Sequence, residues 1–597
     1  MANMGYHEEE ALGKAYDSKL MKRLLHYARP YFGMLLISLI LVFIVTGVEL
    51  LRPYLLQVSI DDFIMNHQLT DSQKIQGVIR IGVIFLAVMT AGFAFHYLQI
   101  YILTQTGQKI VFNIRQQIFS HIARLPLSYL DKNPVGRLVT RVTNDTETLN
   151  EMYTAVLVNL VKDVLLIAGS IIAMFIYSAK LGLVILVILP LVLGVTVLFR
   201  IKARAAYRQV RVKLAKVNAI LSENISGMKI VHIFNRQKEK YQEFKSINRE
   251  YYDAGMREVT VFGIFRPALE LISALGIALL LWYGGNNVIE GTLEFGVLYA
   301  VINYLLQMFQ PINDLAEKYN ILQSAMASSE RIFQILDQQD EHQGIQSAKK
   351  LKEVAGNIEF KNVWFAYNRE EWVLKDVSFT VCPGQTVAFV GHTGAGKTSV
   401  INLLGRFYEI QKGCITIDGT DIKSMDKEEL RQKIGIVLQD VFLFSGDIAS
   451  NIRLNNKKIS EQRIKKIAEY VNAAKFIEKL PGKYLHEVKE RGATFSAGQR
   501  QLLAFARALA FDPPILVLDE ATASIDTETE LLIQDALKKL TKDRTTLVIA
   551  HRLSTIQHAD HIIVLHHGRI KEMGTHQQLL SKKGMYYDLY RLQGEES

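Results

Sequence analysis

The sequence predicts a multidomain protein: an all-α domain of six transmembrane helices, followed by an α/β domain built around a P-loop. Three observations carry that reading. Apolar residues make up 49% of the 597 residues and the mean hydropathy is +0.12, a surplus concentrated in the first half. Six stretches in that half are long and apolar enough to cross a bilayer, whose hydrocarbon core takes about 20 helical residues. In the second half, short β-rich runs alternate with helical stretches around Gly391-His392-Thr393-Gly394-Ala395-Gly396-Lys397-Thr398.

Residues 1–30 carry Glu8, Glu9, Glu10, Lys19, Lys22 and Arg23 and no apolar core ahead of a small-residue cleavage site. An ordinary signal peptide is excluded, and the segment reads as a cytoplasmic elbow. The membrane domain is expected over 31–340, with spans near 32–56, 78–104, 153–177, 181–201, 259–286 and 295–320. The third and fourth are joined by a hairpin as tight as Ser178-Ala179-Lys180. Lys109, Arg115, Arg124, Lys132, Arg137 and Arg141 follow the second span, and Lys202, Arg204, Arg208, Arg211, Lys213 and Lys216 follow the fourth. The opposite loops hold Asp61, Asp62, Asp71, Glu290 and Glu294. The positive-inside rule therefore puts both long loops and both termini in the cytoplasm. The net charge of +10 has the same origin: basic residues flank apolar runs rather than interleaving with aromatics, which argues against a nucleic-acid surface.

The two basic loops are too long to be connectors and poor in turn breakers, so they read as membrane helices prolonged into the cytoplasm. Each has one break: Leu127 to Gly136, with Pro126 and Pro134, in the first, and Ser226-Gly227 in the second. Polar residues inside the spans are Glu49, Arg52, His96 and Glu270. Charge at that depth is costly and faces a polar interior. Glu49 and Glu270 are the candidates for a substrate path; the other reading of Glu49 is a pair with Arg52, three residues on along the same helix. Glu270 has two readings, a substrate-facing carboxylate favouring cationic cargo or a helix–helix hydrogen bond.

The composition turns polar over a linker at 341–355, and the α/β domain follows over 356–597. Strands are expected at Ile358–Phe360, Thr386–Val390, Ile434–Val437, Ile515–Leu518 and Thr546–Ile549. Strand, glycine-rich loop and helix are the context a P-loop requires. Backbone N–H groups of the loop close on phosphate, Lys397 reaches the β- and γ-phosphates, and Thr398 offers a hydroxyl to Mg²⁺. Asp519 and Glu520 end the run Ile515–Leu518; Asp519 would hold Mg²⁺, and Glu520 would polarise an attacking water. Cys382 and Cys414 have no metal-ligand spacing around them.

Upstream of Asp519 stands Phe495-Ser496-Ala497-Gly498-Gln499, and here the chain resembles the ATP-binding cassette (ABC) proteins in their signature segment. The resemblance continues at Gln439 (the Q-loop), Ser524-Ile525-Asp526 (the D-loop) and His551 (the switch histidine). Tyr367 matches the aromatic that stacks on adenine. It covers residues 355–590 in the family's order. Tyr129-Leu130-Asp131, Gly136-Arg137-Leu138 and Arg141-Val142-Thr143-Asn144-Asp145 resemble the first intracellular loop of bacterial ABC exporters, and Glu223 to Gly227 with Ile230 to Phe234 resembles the second. These segments carry the family's coupling helices.

The resemblance implies ATP and Mg²⁺ as cofactors, with Gly391, Thr393, Gly394, Ala395, Gly396, Lys397, Thr398 and Ser399 around the nucleotide. Glu520, His551 and Gln439 are implied in catalysis, and Thr398, Gln439 and Asp519 at the metal. Two halves would dimerise in the lipid bilayer, each signature completing the other's site. The usual signature is Leu-Ser-Gly-Gly-Gln. Ala497 departs from it by a methyl group where glycine allows close approach or positive φ, and Lys489 departs upstream. An intact carboxylate beside a worn signature is similar to one half of the heterodimeric multidrug exporters; a homodimer tolerating the drift is the alternative. The implied activity is ATP-driven export of small amphiphilic molecules across a bacterial inner membrane. A lipid-flipping homodimer and a nucleotide-gated regulatory or channel-like subunit stand beside it. A peptide processor-exporter is disfavoured, since no protease-like segment precedes the first span.

Overall fold

A computed structural model describes residues 17–341, 354–368, 371–519, 527–550 and 556–595. By its contacts the chain divides into two units. The first holds the described residues up to Ala123 together with Val135–Gln338; the second holds Arg124–Pro134 and the described residues from Gln339 on.

The first unit is helical. It comprises α1 (Ser18–Ala28), α2 (Phe32–Val58) and α3 (Asp71–Ile122). After α4 (Leu127–Lys132), which packs with the other unit, come α5 (Val135–Thr140), α6 (Thr146–Glu151) and α7 (Leu157–Tyr177). Then follow α8 (Ala179–Ser226), α9 (Met228–Ile233), α10 (Gln237–Ile289) and α11 (Phe295–Leu336). Among the described residues six helical runs are apolar and long enough to cross a membrane: Ser18–Ile64, Asp71–Ile122, Val135–Tyr177, Ala179–Ser226, Gln237–Ile289 and Phe295–Leu336. Their length exceeds that task. At 1.5 Å per residue the 53 residues of α10 run about 80 Å, against about 30 Å of hydrocarbon. The basic loops are thus largely helical, as their scarcity of breakers required, and are interrupted where breakers stand. α8 stops at Gly227, and α3 gives way before Pro126.

Start signals are local. Thr70 and Gln73 form a capping box for α3, and Ser178 alone separates α7 from α8, accepting a bond from the Leu181 N–H. Helices meet where side chains are small: a Cβ on Gly276 would lie 2.7 Å from Ile188 and 2.9 Å from Leu305. Outward faces carry Phe93, Ile176, Leu86 and Trp282, all largely exposed, as a lipid-facing surface requires. α1 is tied down rather than free. The Tyr153 hydroxyl donates to the Leu24 carbonyl (2.7 Å), and Arg23 donates twice to Asp337 (2.8 Å each) while lying 3.9 Å over the Phe333 ring.

The second unit carries strands β1 (Ile358–Phe365), β2 (Leu374–Val381), β3 (Thr386–Val390), β4 (Lys412–Ile417), β5 (Thr420–Asp421) and β6 (Ile434–Val437). It continues with β7 (Gly446–Asp447), β8 (Glu487–Val488), β9 (Ile515–Asp519), β10 (Thr545–Ile549), β11 (His561–His566) and β12 (Arg569–Gly574). Antiparallel strands ordered β2-β1-β4-β5 form one sheet; β12-β11-β3-β10-β9-β6 form a second, parallel except for β12; β7 and β8 pair antiparallel as a small third. The inner strands are apolar throughout because both faces are covered. Along β3, Val387 and Phe389 enter one core and Ala388 and Val390 the other; Ile515 and Val517 oppose Leu516 and Leu518 along β9 in the same way.

Glu341 lies within this second unit. Its N–H donates to the Arg124 carbonyl (3.0 Å), while its buried carboxylate accepts from Arg431 (2.7 and 3.1 Å) and Lys427 (3.4 Å). Burial pushes the carboxyl up, but those two cations hold it below its ordinary range. A carboxyl whose folded pKa is depressed adds stability that is fully present above its unfolded value, about 4.3, and lost as pH falls through the folded one. Glu341→Gln is therefore expected to lower the melting temperature of the full-length protein at pH 7 and pH 5.5 alike. The gap from wild type should close below about pH 4; a gap independent of pH would show that the charge contributes nothing.

Candidate nucleotide-binding site

Parallel strands end side by side, so residues that follow them gather along one edge. Register pairs Phe389 of β3 with Ile549 of β10, and Ile549 with Asp519 of β9; Val437 of β6 pairs with Leu518. The glycine-rich loop after β3, the Asp519 carboxylate and Gln439 beyond β6 thus share the carboxyl edge of one sheet. Glu520, His551 and Ser524-Ile525-Asp526 lie outside the described residues.

The loop leads into α12 (Lys397–Leu404), whose N-cap is Gly396 at φ +102°. That conformation suits glycine alone, and a Cβ there would lie 2.7 Å from Leu374. At Gly391 a Cβ would collide with the Leu565 carbonyl. Thr393, Gly394 and Thr398 are exposed at the loop and first turn, while Ala395 and Ser399 are buried. Lys397 is the informative member. It is 7% exposed, and its ammonium donates to the Gly391 carbonyl (2.5 Å) and the His392 carbonyl (3.3 Å). Burial lowers its pKa, and the negative charge of Asp519 opposes that shift. A buried cation folded back onto carbonyls, at a helix N-terminus, is arranged to accept an anion. Thr398, Gln439 and Asp519 offer only oxygen donors, a set that suits Mg²⁺.

Tyr367 presents a ring that is 39% exposed, and its hydroxyl is anchored to α12 through Ser399 (3.1 Å) and Asn402 (3.3 Å). The ring meets Tyr408 edge-on at 4.9 Å, and the Tyr408 hydroxyl donates to Asp131 of α4. Burial, then the Asp131 carboxylate, push the Tyr408 phenol well above its usual value, keeping it a donor. Tyr408 was not singled out in the sequence; an aromatic following the P-loop helix is its only local signal.

The second unit continues with α13 (Lys427–Gln432), α14 (Ile448–Arg453), α15 (Glu461–Tyr470), α16 (Ala474–Ile477), α17 (Ala497–Ala510) and α18 (Thr527–Thr541). The signature segment opens α17. Ser496 is its N-cap and forms a capping box with Gln499: the Gln499 N–H donates to the Ser496 hydroxyl (3.2 Å), and the Ser496 N–H to the Gln499 side chain (3.0 Å). Phe495 and Gly498 are buried, whereas Ser496 and Ala497 are exposed. Ala497 is the first helical residue and has no positive φ, so backbone strain is not what the methyl changes. Only its bulk toward an approaching ligand remains. Lys489 likewise sits exposed in ordinary extended backbone (φ −72°, ψ 170°).

Two expectations for the membrane helices need correction. Glu49 pairs not with Arg52 but with Lys162 of α7 (2.9 Å), because the neighbouring helix supplies a closer cation; Arg52 is exposed. Among the described residues Glu270 makes no helix–helix hydrogen bond. Its carboxylate is 74% exposed, 3.9 Å from Arg266 one turn earlier. His96 is exposed on α3.

The chain matches the family model for the ABC transporter transmembrane region over residues 35–312 and a second family model, ABC transporter, over 374–523. It is 41% identical to an uncharacterized ABC transporter ATP-binding protein, YknV of Bacillus subtilis, over 98% of this chain and 97% of that one. It is also 41% identical to a probable multidrug resistance ABC transporter ATP-binding/permease protein, YheH of the same organism, over 87% and 77%. Among solved structures, a bacterial Atm1-family ABC exporter with ATP bound superposes with a TM-score of 0.79 at 28% identity, covering 94% of this chain and 99% of that one.

Removing the buried ammonium should act on binding itself. Lys397→Ala is expected to weaken ATP binding about ten- to hundredfold, the range of a charge-assisted hydrogen bond. In wild type, affinity should fall as pH rises through the lowered Lys397 pKa, sooner than for an ordinary lysine. A fluorescent nucleotide titration across pH reads both; unchanged affinity in Lys397→Ala would remove Lys397 from the site.

Proposed function

The chain belongs to the ABC transporter family, with the membrane region and the ATPase of an exporter half-transporter fused on one polypeptide, and from that premise we propose that it exports small amphiphilic molecules by alternating access. The ATPase is coupled to transport, and the protein is integral to the membrane. The proposed seat is a bacterial inner membrane with both termini cytoplasmic, for which the basic loops after the second and fourth spans are the support.

The observation that carries the reading is one sheet edge bearing phosphate loop, carboxylate and Gln439, on the same chain as six membrane-crossing helices. In the proposed reaction Lys397 and the loop N–H groups hold the β- and γ-phosphates, and Tyr367 presents its exposed ring to adenine. Thr398, Gln439 and Asp519 would hold Mg²⁺, which spreads the charge developing on the transferred phosphoryl group. Glu520 takes the proton of the attacking water, and His551 stabilises the γ-phosphate. Ser496 and Gly498 serve the site of a second chain; the exposure of Ser496 and Ala497 at the start of α17 supports this.

The partner is proposed to be a different half-transporter. Support comes from Ala497, whose methyl stands at the exposed first turn of α17, where a facing γ-phosphate must approach. The site receiving this segment is then slow, and the site built on Glu520 does the work. Of the two membrane carboxylates considered for the cargo path, Glu49 is committed to Lys162, so Glu270 is the one offered to cargo and favours a cationic amphiphile.

Glu520→Gln is expected to keep ATP binding while abolishing most Mg²⁺-dependent turnover in lipid; wild-type hydrolysis would remove Glu520 from its role. In the assembled transporter Ala497→Gly should raise steady-state turnover severalfold by waking the slow site. No change would mean that this signature limits nothing.

A further inference from the structure

Three membrane helices, α2, α7 and α11, face one another along a polar seam that the ATP site does not explain. Lys162 and Asp163 are neighbours on α7, so their side chains point about 100° apart. Lys162 reaches Glu49 of α2 (2.9 Å), and Asp163 pairs with Lys318 of α11; the second pair is almost fully buried, at 9% and 14% side-chain exposure. The Gln307 side chain of α11 donates to the Glu49 carbonyl (2.9 Å). Along the same faces stand polar atoms with no hydrogen-bond partner among the described residues. These are Thr46 Oγ1 one turn from Glu49, Ser170 Oγ about two turns from Asp163, and Gln307 Oε1 about three turns from Lys318. Thr46 and Ser170 are 3% and 0% exposed.

Such a seam is expensive. A charge at membrane depth costs about 2.5–3.5 kcal/mol, and an orphaned buried polar atom about 1–3 kcal/mol. Apolar residues of like volume in place of a buried ion pair are often neutral or stabilising, so stability alone does not account for the pairs. The best-attested use of a buried pair is to set register or to switch. Each of the three helices also carries hydrogen-bonding capacity unused in this packing, which a second packing, shifted along the seam, would use.

We propose that Lys162 and Asp163 are positioning residues for transport. Through Glu49 and Lys318 they hold α2 and α11 in one of two registers against α7, and the exchange between registers carries the effect of ATP across the membrane domain. The inference rests on the transporter reading, and its test separates the two.

The test follows ATP-dependent motion rather than cargo. Spin labels are placed at Asn66→Cys and Thr292→Cys of the full-length, assembled protein in lipid, with Cys382 and Cys414 changed to Ser. Their distance is measured with and without Mg-ATP and vanadate. In the parent an ATP-dependent shift is expected; its absence overturns alternating access, and the inference with it. Asp163→Leu with Lys318→Met is expected to keep the melting temperature and ATP affinity of the parent yet lose the shift. The charge-swapped pair, Asp163→Lys with Lys318→Asp, is expected to restore it. A stable apolar pair that still shows the parent's shift overturns the proposal, as does a folded charge swap that fails to restore it. Should the apolar pair not fold, the charge swap alone decides.

Discussion

The Lys397 ammonium sits at 7% exposure with two backbone carbonyls for company and Asp519 near enough to be felt. Taking a cation out of water costs several kcal/mol unless partners replace the water, and here the partners are weak. The state we propose for a better-satisfied lysine has phosphate oxygens in the loop. Much of the second unit serves to maintain that situation. Apolar strands covered on both faces fix the carboxyl edge, Gly396 lets the loop turn into α12, and Tyr367 braces the helix from the side.

The same constraint organises the membrane unit, where there is no water to fall back on. Asp163 and Lys318, like Glu49 and Lys162, are stable only as partners across helix faces. Asp145 follows the rule outside the apolar core, accepting from Arg331 (2.5 and 3.1 Å), Arg141 (2.9 Å) and Ser328 (2.8 Å). Arg331 lies near the end of α11. Paired charge thus recurs where α7 meets α2 and α11, and where α11 meets Asp145.

Most of the architecture was legible because its signals are local. Apolar runs, the lone Ser178 between α7 and α8, and the P-loop flanks are read within a few residues of themselves. Every expected strand, from Ile358–Phe360 to Thr546–Ile549, falls within an observed one for the same reason. What escaped was pairing between elements. Glu49 and Arg52 are neighbours on one helix, and nothing in that stretch announces that Lys162, more than a hundred positions on, offers the nearer charge. Lys162 and Asp163 went unnoticed inside an otherwise apolar run, although adjacent opposite charges at membrane depth are themselves the signal. The meaning of Ala497 also changed once its backbone was known, since a first-turn residue has no need of glycine's positive φ.

The central claim is that one chain carries only half of each nucleotide site, its signature serving a neighbour. The most direct measurement is ATP turnover in lipid nanodiscs that hold a single copy of the chain, compared with discs that hold the assembled pair. Single-copy discs are predicted to bind ATP through Lys397 and the P-loop but to hydrolyse almost none, while paired discs turn over. Equal turnover per chain in both would contradict the account, because a lone chain would then hold a complete site.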